Sequence, residues 1–73
     1  MEIARKTSKS GIVYRIWEDR CVGFSMYTIE FLKTYHYDDG TPCECWCPAY
    51  DPKNRIFTQI QEARNAFEGF LES

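Results

Sequence analysis

The apolar positions of this chain fall into three extended stretches followed by one helical one. Ile12-Val13-Tyr14-Arg15-Ile16-Trp17 is dense in β-branched and aromatic residues and predicts a first strand, with Glu18-Asp19-Arg20 beginning a polar turn behind it. From Val22 to Tyr37 the mixture of Thr, Ile, Tyr and Phe favours a long second strand, against the competing helical spacing of Phe24, Tyr27, Phe31 and Tyr35. A third strand is expected from Cys43 to about Tyr50, with a turn over Asp51-Pro52-Lys53-Asn54. Ile60, Ala63, Phe67, Phe70 and Leu71 then recur at the spacing of one helix face, opposite Gln61, Glu62, Arg64, Asn65 and Glu68. Thr58 with Gln61 reads as the capping box of that helix. Residues 1–10 are polar and basic and read as a flexible arm, so the domain proper is expected at 11–73. The pattern therefore predicts an α+β fold, a three-stranded antiparallel meander with one C-terminal helix on one face, β-β-β-α.

Asp39-Gly40 between strand-like runs is the signature of a two-residue type I′ hairpin, which sets His36 opposite Cys43, Thr34 opposite Cys45 and Leu32 opposite Cys47. Pro42 cannot donate a ladder bond, which suits an edge strand. In that register two apolar faces emerge. One carries Phe24, Met26, Leu32, Cys43, Cys45, Cys47 and Ala49, whose small third-strand side chains let a helix approach closely. The other carries Tyr27, Ile29, Phe31, Tyr35, Tyr37, Trp46, Pro48 and Tyr50. One helix covers one face, so the aromatic face is expected to meet a partner protein, or a second copy in a homodimer. Tyr and Trp are the residue types that anchor interfaces, and the expected partner-binding residues are Tyr27, Phe31, Tyr35, Tyr37, Trp46 and Tyr50.

Cys43-Glu44-Cys45-Trp46-Cys47 and the single histidine raise a second possibility, a zinc-stabilised domain using His36, Cys43 and Cys45. Strand geometry opposes it. Same-face residues two apart lie about 7 Å apart at Cα, so three thiolates on one regular strand do not converge on one ion. The cysteines are instead expected as small hydrophobes beneath the helix, and no metal or other cofactor is expected. His36 beside Cys43 would be the base of a reactive thiol, but no oxyanion donors or third orienting group accompany the pair, and no enzymatic activity is expected.

Composition narrows the class. With 73 residues, 44% hydrophobic, 27% charged and 16% aromatic, the chain is too apolar for a disordered tail and large enough for one small core. It has no apolar run long enough to span a membrane and no signal-peptide pattern, so a cytoplasmic protein is expected. Charge is split: residues 1–20 hold five basic and three acidic groups, residues 21–73 four and eight, for −2 overall. The acidic body disfavours nucleic acid. Single strands stacking on a tyrosine-rich face remain the third alternative.

Arg55-Ile56-Phe57-Thr58-Gln59-Ile60-Gln61-Glu62-Ala63-Arg64-Asn65-Ala66-Phe67, following strands that open with Gly11-Ile12-Val13-Tyr14, resembles the ending of many short proteins of phages and mobile elements. In these a small antiparallel sheet precedes a helix with a Thr-x-x-Glu/Gln-Ala-Arg-type start. The resemblance covers roughly residues 11–72. It implies a class that includes anti-CRISPR inhibitors, which act by binding a host protein, here a component of a host-defence complex.

Overall fold

The computed structural model describes residues 1–49 and 56–72. They form an antiparallel sheet of four strands in the order β1-β2-β3-β4 and one helix: β1 Glu2–Thr7, β2 Val13–Cys21, β3 Phe24–His36, β4 Pro42–Pro48 and α1 Ile60–Leu71. The α+β meander with a C-terminal helix is as expected; the number of strands is not. The expected flexible arm is an edge strand, paired with β2 from Glu2↔Trp17 to Thr7↔Val13 with an irregularity between Glu2 and Ala4. Only Ile3 and Ala4 of β1 pack on the core, so its sequence carries little strand signal.

The first hairpin also sits later than expected. β2 runs through Glu18-Asp19-Arg20, and the turn falls at Val22-Gly23, flanked by the Cys21↔Phe24 pair. Gly23 has φ +84° whereas Val22 does not take positive φ, so this is not a type I′ turn, and a valine gives no turn signal in the sequence.

β3 is the spine of the molecule. Its 13 residues, at about 3.4 Å each, account for nearly the whole of the 45 Å longest dimension. β2 flanks it only as far as the Tyr14↔Phe31 pair, and β4 flanks its second half from Glu30↔Pro48 to His36↔Pro42. From Lys33 onward β3 thus has a single described neighbour, and a two-stranded ribbon projects past the rest of the sheet. Where β4 ends, the Ala49 N–H donates to the Ile29 carbonyl, and Tyr27 exchanges main-chain bonds with Phe57, which continues the line of β4.

The β3–β4 register differs by one residue from the type I′ expectation. Tyr35, not His36, faces Cys43, and Lys33 faces Cys45. The cause is the turn. Tyr37 donates to Thr41, Gly40 donates back to Tyr37, and only Gly40 takes positive φ, at +87°. This is a three-residue loop, a type I turn closed by a glycine bulge, and Asp39 Oδ1 accepts from the Thr41 N–H at 2.8 Å. One residue of slip turns β4 over relative to β3. A Cβ on Gly40 would meet nothing within 4 Å, so the cost of Gly40→Ala is purely that of the backbone angle. That cost is about 1–2 kcal/mol, and the variant should show faster amide exchange in the ribbon and a melting temperature lower by roughly 4–15 °C.

The helix packs on β2 and β3. Ala63 and Phe67 meet Tyr14, Ile16 and Ile29, with Phe70 stacked on Tyr14 at 5.3 Å between ring centroids. The side chains beneath α1 therefore come from the Tyr27, Ile29 and Phe31 row of β3, whereas the sequence suggested the cysteine row. The start of α1 is also simpler than expected: Gln59 is its N-cap and no side chain caps it, so Thr58 and Gln61 form no capping box. At the other end Lys9 substitutes for a basic last turn. Its N–H donates to the Leu71 carbonyl and its ammonium pairs with Glu72 at 2.8 Å, tying the β1–β2 loop to the negative end of the helix.

Candidate partner-binding site

The corrected register redistributes the expected site residues. Tyr27 and Phe31 are half-buried and pack against the core on the helix side. Tyr35 and Tyr37 share their row but lie beyond the helix on the projecting ribbon, 43% and 61% exposed. Trp46 pairs with Leu32 and lies on the opposite face. Tyr50 is outside the described residues, as are the expected end of the third strand and the turn after it. The continuous aromatic surface read from the sequence is therefore divided, and Tyr35 and Tyr37 are the members that remain together and open to solvent.

The helix-free face has its own composition. The Arg15 guanidinium lies between two indoles, 4.5 Å from the Trp17 ring and 4.1 Å from the Trp46 ring, and Arg5 lies 5.1 Å from Trp46. Glu30 accepts from Arg15 Nε at 2.7 Å, and Glu2 pairs with Arg5 at 2.7 Å and approaches Arg15 at 3.9 Å. Planar cations on indole faces, neutralised by two carboxylates, let a sheet face with two tryptophans stand in water without a second helix. Sequence reasoning missed this cluster because the slipped register removed Trp46 from it. Arg15 and Trp17, two apart on one strand, were the available signal.

The ribbon is of a different character. Every residue from Lys33 to Pro42 is exposed. On the side continuous with the helix face, Lys33, Tyr35 and Tyr37 stand beside Cys43, Cys45 and Cys47, with the Lys33 ammonium 5.0 Å from the Tyr35 ring. The Tyr35 hydroxyl meets Cys47 Sγ at 3.8 Å, and Cys45 and Cys47 Sγ are 3.9 Å apart. The hydrogen bond to Cys47, with Cys45 adding to it, pushes the Tyr35 hydroxyl up to about 12. Tyr37 is raised by its hydrogen bond to Cys43. Burial, then the bond from Cys47, raises the Cys45 thiol, so it stays protonated and weakly nucleophilic at neutral pH.

The four cysteines are free and half-buried, and lie outside the core cluster rather than beneath the helix. His36 pairs with Pro42 and points to the face opposite Cys43 and Cys45. The sheet thus separates His36 from Cys43 and Cys45, and His36 is no base for Cys43. Among the described residues no group of three or more His, Cys, Asp or Glu side chains is placed to hold one metal ion. No helix among them is long and apolar enough to cross a membrane. For stacked bases the platform is short, since Tyr27 and Phe31 lie against the core and leave Tyr35, Tyr37 and Lys33.

One titratable group away from the ribbon bears on stability. Glu18, buried on the helix side of β2, would be raised by its burial, but hydrogen bonds from Ser25, Arg20 and Tyr27 and the Arg20 charge outweigh that and hold it below the ordinary 4.5. A carboxyl lowered on folding contributes stability above its unfolded pKa and loses it as pH falls through the folded one. Melting temperature should therefore decline below about pH 4.5, and Glu18→Gln should flatten that acid limb in a pH series of thermal melts.

No protein-family model matches this chain, and no curated protein and no solved structure matches it either.

Proposed function

We propose that this chain is a non-enzymatic protein-binding module that engages its partner through the projecting β3–β4 ribbon, with Tyr35 and Tyr37 as the anchoring side chains. The observation that carries the reading is the exposure of both tyrosines on a ribbon whose residues 33–42 are all exposed, away from the core and the helix. Tyrosine supplies large contact area with few rotatable bonds and a hydroxyl that stays satisfied when wet or buried, which is why it is enriched at interface centres. The ribbon gives such side chains reach into a cleft of another protein. Its acidic tip, Asp38-Asp39, suits a partner with a basic rim.

From the resemblance to short phage and mobile-element proteins, the partner we propose is a component of a bacterial host-defence complex, bound as an inhibitor binds, in the cytoplasm. The test is co-purification. A tagged chain expressed in cells carrying an active CRISPR–Cas interference complex should retain that complex, and purified complex should lose target binding or cleavage when the chain is added. Retention of no subunit across a panel of complex types would reject the host-defence partner.

A further inference from the structure

We propose that β4 is a self-pairing edge, and that two copies of this chain join antiparallel along it, centred on Cys45, into one continuous sheet. The inference does not depend on the identity of the ribbon's partner, although β4 is one strand of that ribbon, and it rests on the strand itself. Pro42-Cys43-Glu44-Cys45-Trp46-Cys47-Pro48 is a palindrome in its prolines and cysteines, with Cys45 at the centre. Antiparallel self-pairing about that residue sets Cys45 on Cys45, Cys43 on Cys47 and Pro42 on Pro48 of the second copy.

The direction of the main-chain groups agrees. Tyr37 donates to Thr41 and Ala49 donates to Ile29, so the odd-numbered residues of β4 direct their N–H and C=O groups at β3. By alternation the even-numbered ones direct theirs outward. Glu44 and Trp46 then offer donors and acceptors to the outer edge, while Pro42 and Pro48 have no N–H to leave unpaired. The prolines thus bound a short pairing window, inside which Glu44 of each copy exchanges both bonds with Trp46 of the other. A register centred on Glu44 would instead oppose two carboxylates. The centred register opposes none. Trp46 also leans inward over Arg15, which leaves the edge beside its backbone open to Glu44 of the second copy.

No described strand pairs the outer side of β4, and α1 packs on β2 and β3, so the helix does not stand in the way. The thiol rows of the two copies meet on the helix side. Cys45 and its copy form a non-hydrogen-bonded pair with Cα atoms about 4.5 Å apart, inside the range a disulfide spans.

The test uses three variants of the full chain and the reduced wild type. Native mass spectrometry and sedimentation of the reduced wild type should show a concentration-dependent dimer. Glu44→Pro removes an outward N–H and a carboxylate but no main-chain bond to β3, and it should raise the dimer dissociation constant on the order of 10- to 100-fold with unchanged circular dichroism. With Cys43→Ser and Cys47→Ser, treatment with the diazene oxidant diamide at alkaline pH, where thiols ionise, should link two Cys45 side chains, two protons and two electrons in all passing from the two thiols to the diazene to give its hydrazine. Adding Cys45→Ser, which leaves Cys21, should abolish that covalent dimer. A monomer at all concentrations, a dimer indifferent to Glu44→Pro, or crosslinking that persists through Cys21 would each overturn the proposal.

Discussion

Ile16→Ala is expected to lower the melting temperature of this chain by at least about 10 °C and to leave a measurable fraction unfolded at 25 °C. Ile16 and Ile29 are directly opposed across β2 and β3, at 0% and 1% exposure, and among the described residues are the largest side chains fully removed from water. Ala63 and Phe67 of the helix close over them. Truncating a buried isoleucine to alanine costs about 2–5 kcal/mol, because the lost transfer energy is joined by the energy of the cavity. A domain of this size rarely gains more than about 3–5 kcal/mol from its core. The two quantities are of the same order, so one substitution removes most of the margin. Val22→Ala, at a side chain 99% exposed in the first hairpin, is the matched control and should melt with the wild type in thermal denaturation followed by circular dichroism.

The second large effect is on binding rather than stability. Tyr35→Ala combined with Tyr37→Ala should weaken partner binding by at least about 100-fold, since buried aromatic anchors cost about 2 kcal/mol or more each when truncated. Both side chains lie outside the core cluster, so the same variant should melt within a few degrees of the wild type. Surface plasmon resonance against the captured complex, paired with a thermal melt, separates the two readouts. Loss of both together would mean that the rings support the ribbon's fold and are not its contact. Retained affinity would transfer the site to the helix-free face of Trp17, Arg15 and Trp46.

Much of the architecture follows from local pattern. The helix was legible because its buried positions, Ala63 and Phe67, and their half-buried neighbours Ile60, Phe70 and Leu71 hold one period throughout. β3 was legible from its β-branched and aromatic density. β1 was not, because an edge strand with one neighbour needs few apolar residues, and Glu2–Thr7 has only Ile3 and Ala4. The site failed at a finer level. Asp-Gly is compatible with a two-residue turn and with a three-residue turn ending in a glycine bulge, and nothing local in Asp38-Asp39-Gly40 chooses between them. The choice moves Trp46 and the three cysteines across the sheet, and with them the grouping of candidate residues. Tyr35 was unaffected because it lies on β3, whose face is set by Ile29 and Phe31 against the core, and Tyr37 follows it at the end of that strand.

The measurement that most directly tests the ribbon as the functional element is a plaque assay. Bacteria whose CRISPR–Cas system restricts a targeted phage would express the wild type, the Tyr35→Ala/Tyr37→Ala variant, or Trp17→Ala on the opposite face. The ribbon account predicts that the wild type and Trp17→Ala restore plaques and that the tyrosine variant, present at equal soluble level, does not. Full restoration by the tyrosine variant, or its loss in Trp17→Ala alone, would contradict it.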